Sequence, residues 1–177
     1  MLELITERVK IIPLDIENYG LYIENTNKME EKLGLKITDM VWDEGVRTAH
    51  KNRLKKVIRN KEQYLWETLW IVVCKDENCN VAGIMIKGCP NENGEVVIGY
   101  GTEEPYQNKG YMTEAVERLI KWIFTNPKAL SIVADTDKTN IASHRVLEKN
   151  GFIKYNETVE KSDEGEVEEL VWWRLDK

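Results

Sequence analysis

Between Gly94 and Thr125 the chain reads GEVVIGYGTEEPYQNKGYMTEAVERLIKWIFT, and its hydrophobic period changes once within that stretch. Glu95 to Thr102 is rich in β-branched and aromatic residues, which favour a pleated strand. From Met112 the period becomes helical. Met112, Ala115, Val116, Leu119, Ile120 and Ile123 fall on one stripe, with Thr113, Glu114, Glu117, Arg118 and Lys121 opposite. Pro127 stops the helix soon afterwards. Gly99 and Gly101 interrupt the strand, and glycine in a strand often marks a bulge or a ligand lying against the backbone.

The turn between strand and helix is Gln107-Asn108-Lys109-Gly110-Tyr111-Met112. A helix N-terminus carries unpaired N–H groups and the positive end of the helix dipole. Gly110 lets an anion approach without a Cβ in the way, and Lys109 adds a positive charge. These six residues therefore suit a phosphate or pyrophosphate seat. They also suit a solvated turn before an ordinary core helix, and by themselves leave both readings open.

The remaining chain fits one domain over residues 1–177. The sequence has no apolar run near the ~20 residues needed to span a bilayer, and MLELITERVK lacks the pattern of a signal peptide. A cytoplasmic location with no membrane partner is the expectation. Net charge is −6, which argues against nucleic acid as a partner and suits a cationic acceptor such as an amine. Cys74, Cys79 and Cys89 have neither CxxC nor histidine-pair spacing, so no metal is expected. Cys74 reads as a small core residue, and Cys89 beside Pro90 sits in a turn.

In chain order, a first strand ends at Pro13, and Asp15 caps a helix from Ile16 to about Thr26 with Tyr19, Tyr22 and Ile23 inward. Asn27 to Asp39 has no period and reads as a loop with a helical turn. Trp42 to Arg59 forms a further helix, on which His50 reads as solvated. Strands follow at Leu69–Lys75, Asn80–Gly88 and, after the helix already described, Leu130–Thr136. Asn140 caps a helix running to Asn150, with Gly151 after it. Phe152–Val159 and Val167–Leu175 pair around an acidic turn, Ser162 to Gly165. Strands alternating with helices between terminal hairpins imply a mixed sheet covered by helices.

Two motifs carry a family resemblance. Gln107 and Gly110 match the Gln/Arg-x-x-Gly-x-Gly/Ala loop, with Met112 where Gly or Ala is usual. Asn140-Ile-Ala-Ser143, followed by an aliphatic stripe and Gly151-Phe152, matches a second helix. Together they resemble the GNAT superfamily of N-acetyltransferases, and its RimJ/RimL-type branch in particular. The resemblance implies an α/β (mixed α+β) fold: a central twisted, mostly antiparallel sheet of six or seven strands, helices on both faces, and a splay between the fourth and fifth strands that admits acetyl-CoA. It implies acetyl transfer to a primary amine, either a small molecule or a protein N-terminus, with a homodimer as an option. The alternative is an acyl-CoA-binding or sensor domain that has lost its base.

For such chemistry the thioester must be held, its oxyanion stabilised, the amine deprotonated and the thiolate given a proton. Gln107, Asn108, Lys109, Gly110, Tyr111 and Met112 are expected to hold the pyrophosphate. Gly101 and Thr102 would pair with the pantetheine arm, and Asn140 would bind that arm or only cap its helix. The branch often carries a glutamate three residues before the tyrosine of IGY, but that position is Val97 here. Glu95, on the same strand face, is the candidate base, directly or through water, or else a solvated glutamate after a turn, with Tyr100 on the opposite face as an alternative polar group. Many GNAT enzymes place a tyrosine where this chain has Leu147, so Ser143 becomes the expected donor to the thiolate, or else a helix cap. Met40, Trp42, Tyr64 and Trp66 are candidates for the acceptor wall, or ordinary core residues. His144 reads as a surface residue.

Overall fold

A computed structural model describes residues 2–161 and 167–177, with only the backbone of Lys161. The expected acidic turn at Ser162 to Gly165 lies outside the described residues. The chain begins with β1 (Leu4–Ile5), β2 (Val9–Pro13), α1 (Ile16–Glu24), α2 (Thr26–Lys32) and α3 (Glu44–Arg59), then a 3-10 turn at Lys61–Trp66. β3 (Leu69–Cys74), β4 (Cys79–Ile86), β5 (Glu95–Thr102), α4 (Tyr111–Ile123) and β6 (Ser131–Asp137) follow, and α5 (Ile141–Lys149), β7 (Ile153–Lys161) and β8 (Val167–Asp176) close the chain.

The strands form one mixed sheet in the order β1-β2-β3-β4-β5-β6-β8-β7. Every pair is antiparallel except β5 with β6, which must run parallel because α4 carries the chain back between them. The sheet has eight strands rather than the expected six or seven. The two-residue β1 is too short to leave a pattern in sequence, and it shifts the numbering so that the splay falls between the fifth and sixth strands.

The sheet separates two cores. On one face Trp70, Val72, Ile84, Val96 and Ile98 pack against Val116, Leu119 and Ile123 of α4 and Leu147 of α5. On the other, Ile12, Leu69, Ile71 and Val73 pack against Tyr19, Tyr22 and Ile23 of α1, Met29 of α2 and Val57 of α3. β3 is buried at every position because helices cover both of its faces. Leu147 is fully buried in the first core, so the tyrosine position of the family is a packing position here.

Two boundaries differ from expectation. Asn25 ends α1, and its side chain accepts from Lys28 N to start α2 where a loop with a helical turn was expected. Burial of Met29 and Glu30 supplies what local periodicity does not, and Glu30 accepts from both the backbone N and the hydroxyl of Thr38. α3 begins at Glu44 rather than Trp42, because Asp43 Oδ1 accepts from Gly45 N and Val46 N.

Candidate active site

The parallel ladder between β5 and β6 runs from Glu95↔Ser131 to Ile98↔Ala134 and stops there. Beyond it β5 follows β4 to Thr102, while β6 follows β8 to Asp137. Backbone groups alternate sides along a strand. Val97 O accepts from Lys87 N and Glu103 N donates to Val81 O, so odd positions bond to β4. Gly94 O accepts from Leu130 and Ser131, so even positions face β6. Tyr100 and Thr102 therefore aim their backbone groups into the gap, where β6 has departed. Thr102 O is taken by Gln107 Nε2 at 3.1 Å. Among the described residues, the backbone N–H groups of Tyr100 and Thr102 have no partner across the gap.

A cleft of about 580 Å³ opens at this gap, between the first turns of α4 and α5. α1, α2, α3 and α5 each have an N-cap side chain, but α4 starts at Gly110 with none. Among the described residues the first N–H groups of α4 are thus unpaired, and they face the cleft with Gln107, Asn108, Tyr111, Met112 and Thr113. Gly110 holds φ at +81°, and a Cβ there would meet Arg8 Nη2 at 3.2 Å. Arg8 braces the loop: Nη1 donates to Lys109 O at 2.9 Å, and Nε pairs with Glu114 at 2.7 Å. Lys109 itself turns away, its ammonium 4.9 Å from the centre of the Tyr106 ring. The cations that line the cleft are Arg145 and Lys149, on α5.

On the opposite wall Asn140 Oδ1 accepts from Ser143 N at 3.0 Å, so Asn140 caps α5. The Ser143 side chain lines the cleft, and among the described residues its hydroxyl has no hydrogen-bond partner. Tyr100 OH donates to Ser143 O at 3.0 Å, tying β5 to α5 across the gap. Burial pushes the Tyr100 phenol above the usual tyrosine range, so it remains a donor at neutral pH.

A second cavity of about 540 Å³ lies on the other face of the sheet. Gly83, Gly99 and Gly101 leave its floor without side chains, and Tyr22, Met40, Trp42, Val46 and His50 form its walls. Lys87 spans Gly99 to reach Asp135 Oδ1 at 3.1 Å. Trp42 packs edge-on against Tyr22 and His50, at 4.8 and 5.0 Å between ring centres. Tyr64 and Trp66 line neither cavity: Tyr64 packs on the α1–α3 core, and Trp66 lies against Trp122 at 4.9 Å. Tyr100, Gly101 and Thr102 line both cavities, so the two meet at this strip of β5.

Residues 15–153 match the acetyltransferase (GNAT) domain family. The chain belongs to the GNAT acetyltransferase family. Relatives include two Bacillus subtilis proteins. One, the uncharacterized N-acetyltransferase YjdG, is 37% identical over 91 residues, which are 51% of this chain and 54% of that protein. The match thus spans about half of YjdG. The other, the probable N-acetyltransferase YjcK, is 29% identical over 82% of this chain and 81% of its own. Among solved structures, the Vibrio fischeri ribosomal-protein-S5-alanine acetyltransferase superposes with a TM-score of 0.74 at 19% identity, covering 99% of this chain and 97% of that one. The ribosomal L7/L12 α-N-protein acetyltransferase RimL, in complex with coenzyme A, gives 0.71 at 14% identity over 99% and 98%.

Not every sequence expectation for this GNAT chain meets its geometry. Glu95 lies at the start of β5, where the ladder to β6 is intact, and lines neither cavity. Its Oε1 accepts from Arg174 Nη1 at 2.6 Å and its Oε2 from Asn91 at 3.2 Å. Sharing a strand face with Gly99 is not enough, because the sheet opens only past Ile98. Two carboxylates line the second cavity: Asp43, whose Oδ1 caps α3, and Glu103, one residue beyond β5, whose pKa burial raises. His50 is also not the solvated residue expected. Its Nδ1 lies 2.8 Å from Tyr19 OH. Burial keeps that phenol protonated, so the two groups share one hydrogen bond. Burial lowers the His50 pKa as well, so the ring is neutral at pH 7. The i to i+4 spacing of Val46 and His50 was the available signal, but it was masked by the lysines around it. His144 is half-buried, with Nε2 3.1 Å from Asp137 O and its ring 5.2 Å from that of Trp173.

Proposed function

We propose that this GNAT protein moves the acetyl group of acetyl-CoA directly to a primary amine, either a small molecule or a protein N-terminus. The observation that carries the reading is the strip Tyr100–Thr102, shared by two cavities on opposite faces of the sheet. The cleft beside α4 suits the donor: unpaired N–H groups at Gly110–Thr113 for the pyrophosphate, and a free strand edge for the pantetheine arm. The cavity beside α3 suits the acceptor.

At the strip the amine nitrogen attacks the thioester carbonyl, and the oxygen gains the charge. A free N–H of Tyr100 or Thr102 is suited to receive it. Glu103 takes the amine proton, a role its raised pKa favours because a stronger base accepts more readily. The C–S bond breaks, and Ser143 Oγ donates a hydrogen bond to the departing sulfur, which takes its proton from solvent. Tyr100 serves as a positioning residue through the Ser143 carbonyl. The RimL-type neighbours are named for acetylation of ribosomal-protein N-termini, which favours an α-amine as acceptor.

Release of free thiol from acetyl-CoA over an amine panel tests this reading. Turnover is expected, and Glu103→Gln should lower kcat roughly ten- to a hundred-fold with the acetyl-CoA KM nearly unchanged. Binding of CoA without turnover on any amine would instead assign the chain to the sensor reading.

A further inference from the structure

The net charge of −6 conceals a segregation. The 17 residues from Gly45 to Lys61 contain seven of the chain's 25 Lys and Arg and no Asp or Glu, and the other 160 residues hold 18 Lys and Arg against 31 Asp and Glu. This stretch is α3 and its exit. Arg53 is buried and pairs with Glu67 at 2.9 Å, and Arg47 lies near Glu44. Lys51, Lys55, Lys56, Arg59 and Lys61 are exposed, and among the described residues none has a carboxylate within ion-pair distance. Elsewhere Lys32, Lys87, Lys121, Lys138 and Lys154 each reach an acid, and the lysines that do not are spread over separate elements rather than gathered on one helix.

The same helix borders the second cavity through Val46 and His50, and Val41, 91% exposed, stands at its rim. We infer that the basic face of α3 docks an acidic polypeptide whose N-terminal amine enters this cavity. The inference rests on the cavity being the acceptor site. Lys51 to Arg59 covers about 12 Å of helix, which is on the order of four residues of extended chain. The acids should therefore lie within the first several residues after the acetylated one. Nucleic acid is the poorer match: a phosphate backbone continuing past this short patch would meet the acidic remainder of the surface.

Two labelled peptides test it, identical in their first three residues and differing downstream in a run of either Glu or Gln. Fluorescence anisotropy at low salt should give at least ten-fold tighter binding of the Glu peptide, with the advantage shrinking as salt rises. Lys51→Glu/Lys55→Glu should abolish the preference and Lys51→Gln/Lys55→Gln should reduce it, the second variant carrying the test if the first fails to fold. Thiol release on a small alkylamine should be unchanged in both. Equal binding of the two peptides, an undiminished preference in the variants, or tighter binding of an RNA oligonucleotide would overturn the docking surface. Turnover of the alkylamine without peptide discrimination would sink docking alone. Discrimination without turnover of any amine would sink acetyl transfer alone.

Discussion

At the scale of single residues, the chemistry of this site depends on which groups are kept out of water. His50 is neutral and wedged among Tyr19, Tyr22 and Trp42. Its folded pKa lies below that of the unfolded chain, so on acidification the unfolded state takes up the proton first. The contribution of His50 to stability is present above the ordinary histidine range and is lost as pH falls below about 6.5. Chemical denaturation between pH 7 and 5 should show wild type weakening more steeply than His50→Asn. Ser143→Ala should lower kcat and leave the acetyl-CoA KM nearly alone, because the backbone N of Ser143, not its hydroxyl, takes the Asn140 cap. A rise in KM alone would assign the hydroxyl to binding. Glu95→Gln should leave kcat unchanged and cost at most about 1 kcal/mol, since its pair with Arg174 is partly solvated. Equal kcat values with a small drop in denaturation midpoint would show that role. Individual roles were the least legible part of the sequence. Choosing Glu103 over Glu95 depends on where two strands part, and no local pattern in the sequence encodes that point.

At the scale of elements, α4 shows what the sequence did carry. Its period, its stop and its glycine start were all visible, and the helix runs Tyr111–Ile123 as the stripe requires. The seat depends on the missing N-cap and on Gly110 at φ +81°. Gly110→Val adds strain there and pushes against Arg8. Calorimetry should show CoA binding weakened roughly ten-fold or more, about 1.4 kcal/mol, and the strain should lower the melting temperature by only a few degrees. Unchanged affinity would remove the loop from the site. Tyr111 and Lys109 were read alike from sequence, yet Tyr111 lines the cleft and Lys109 does not. The difference comes from Arg8, a residue about a hundred positions away that grips the Lys109 carbonyl. α2 exceeds the helical turn expected there because Asn25 serves two helices at once, ending one and capping the next.

At the scale of the whole molecule, the mixed sheet and its helical cover were legible because strand and helix periods alternate across the centre of the chain. The two faces of the sheet were not assigned in advance, and the site belongs to both. That arrangement has a kinetic corollary. With donor and acceptor placed as proposed, each would reach Tyr100–Thr102 through its own door, and each product could depart the same way. Neither partner must wait for the other to vacate, and the mechanism proposed needs no acyl-enzyme. Initial-rate plots should therefore intersect rather than run parallel. Added CoA should compete with acetyl-CoA but not with the amine, and the acetylated product should do the reverse. Parallel lines would mean that the acetyl group rests on the protein between two half-reactions.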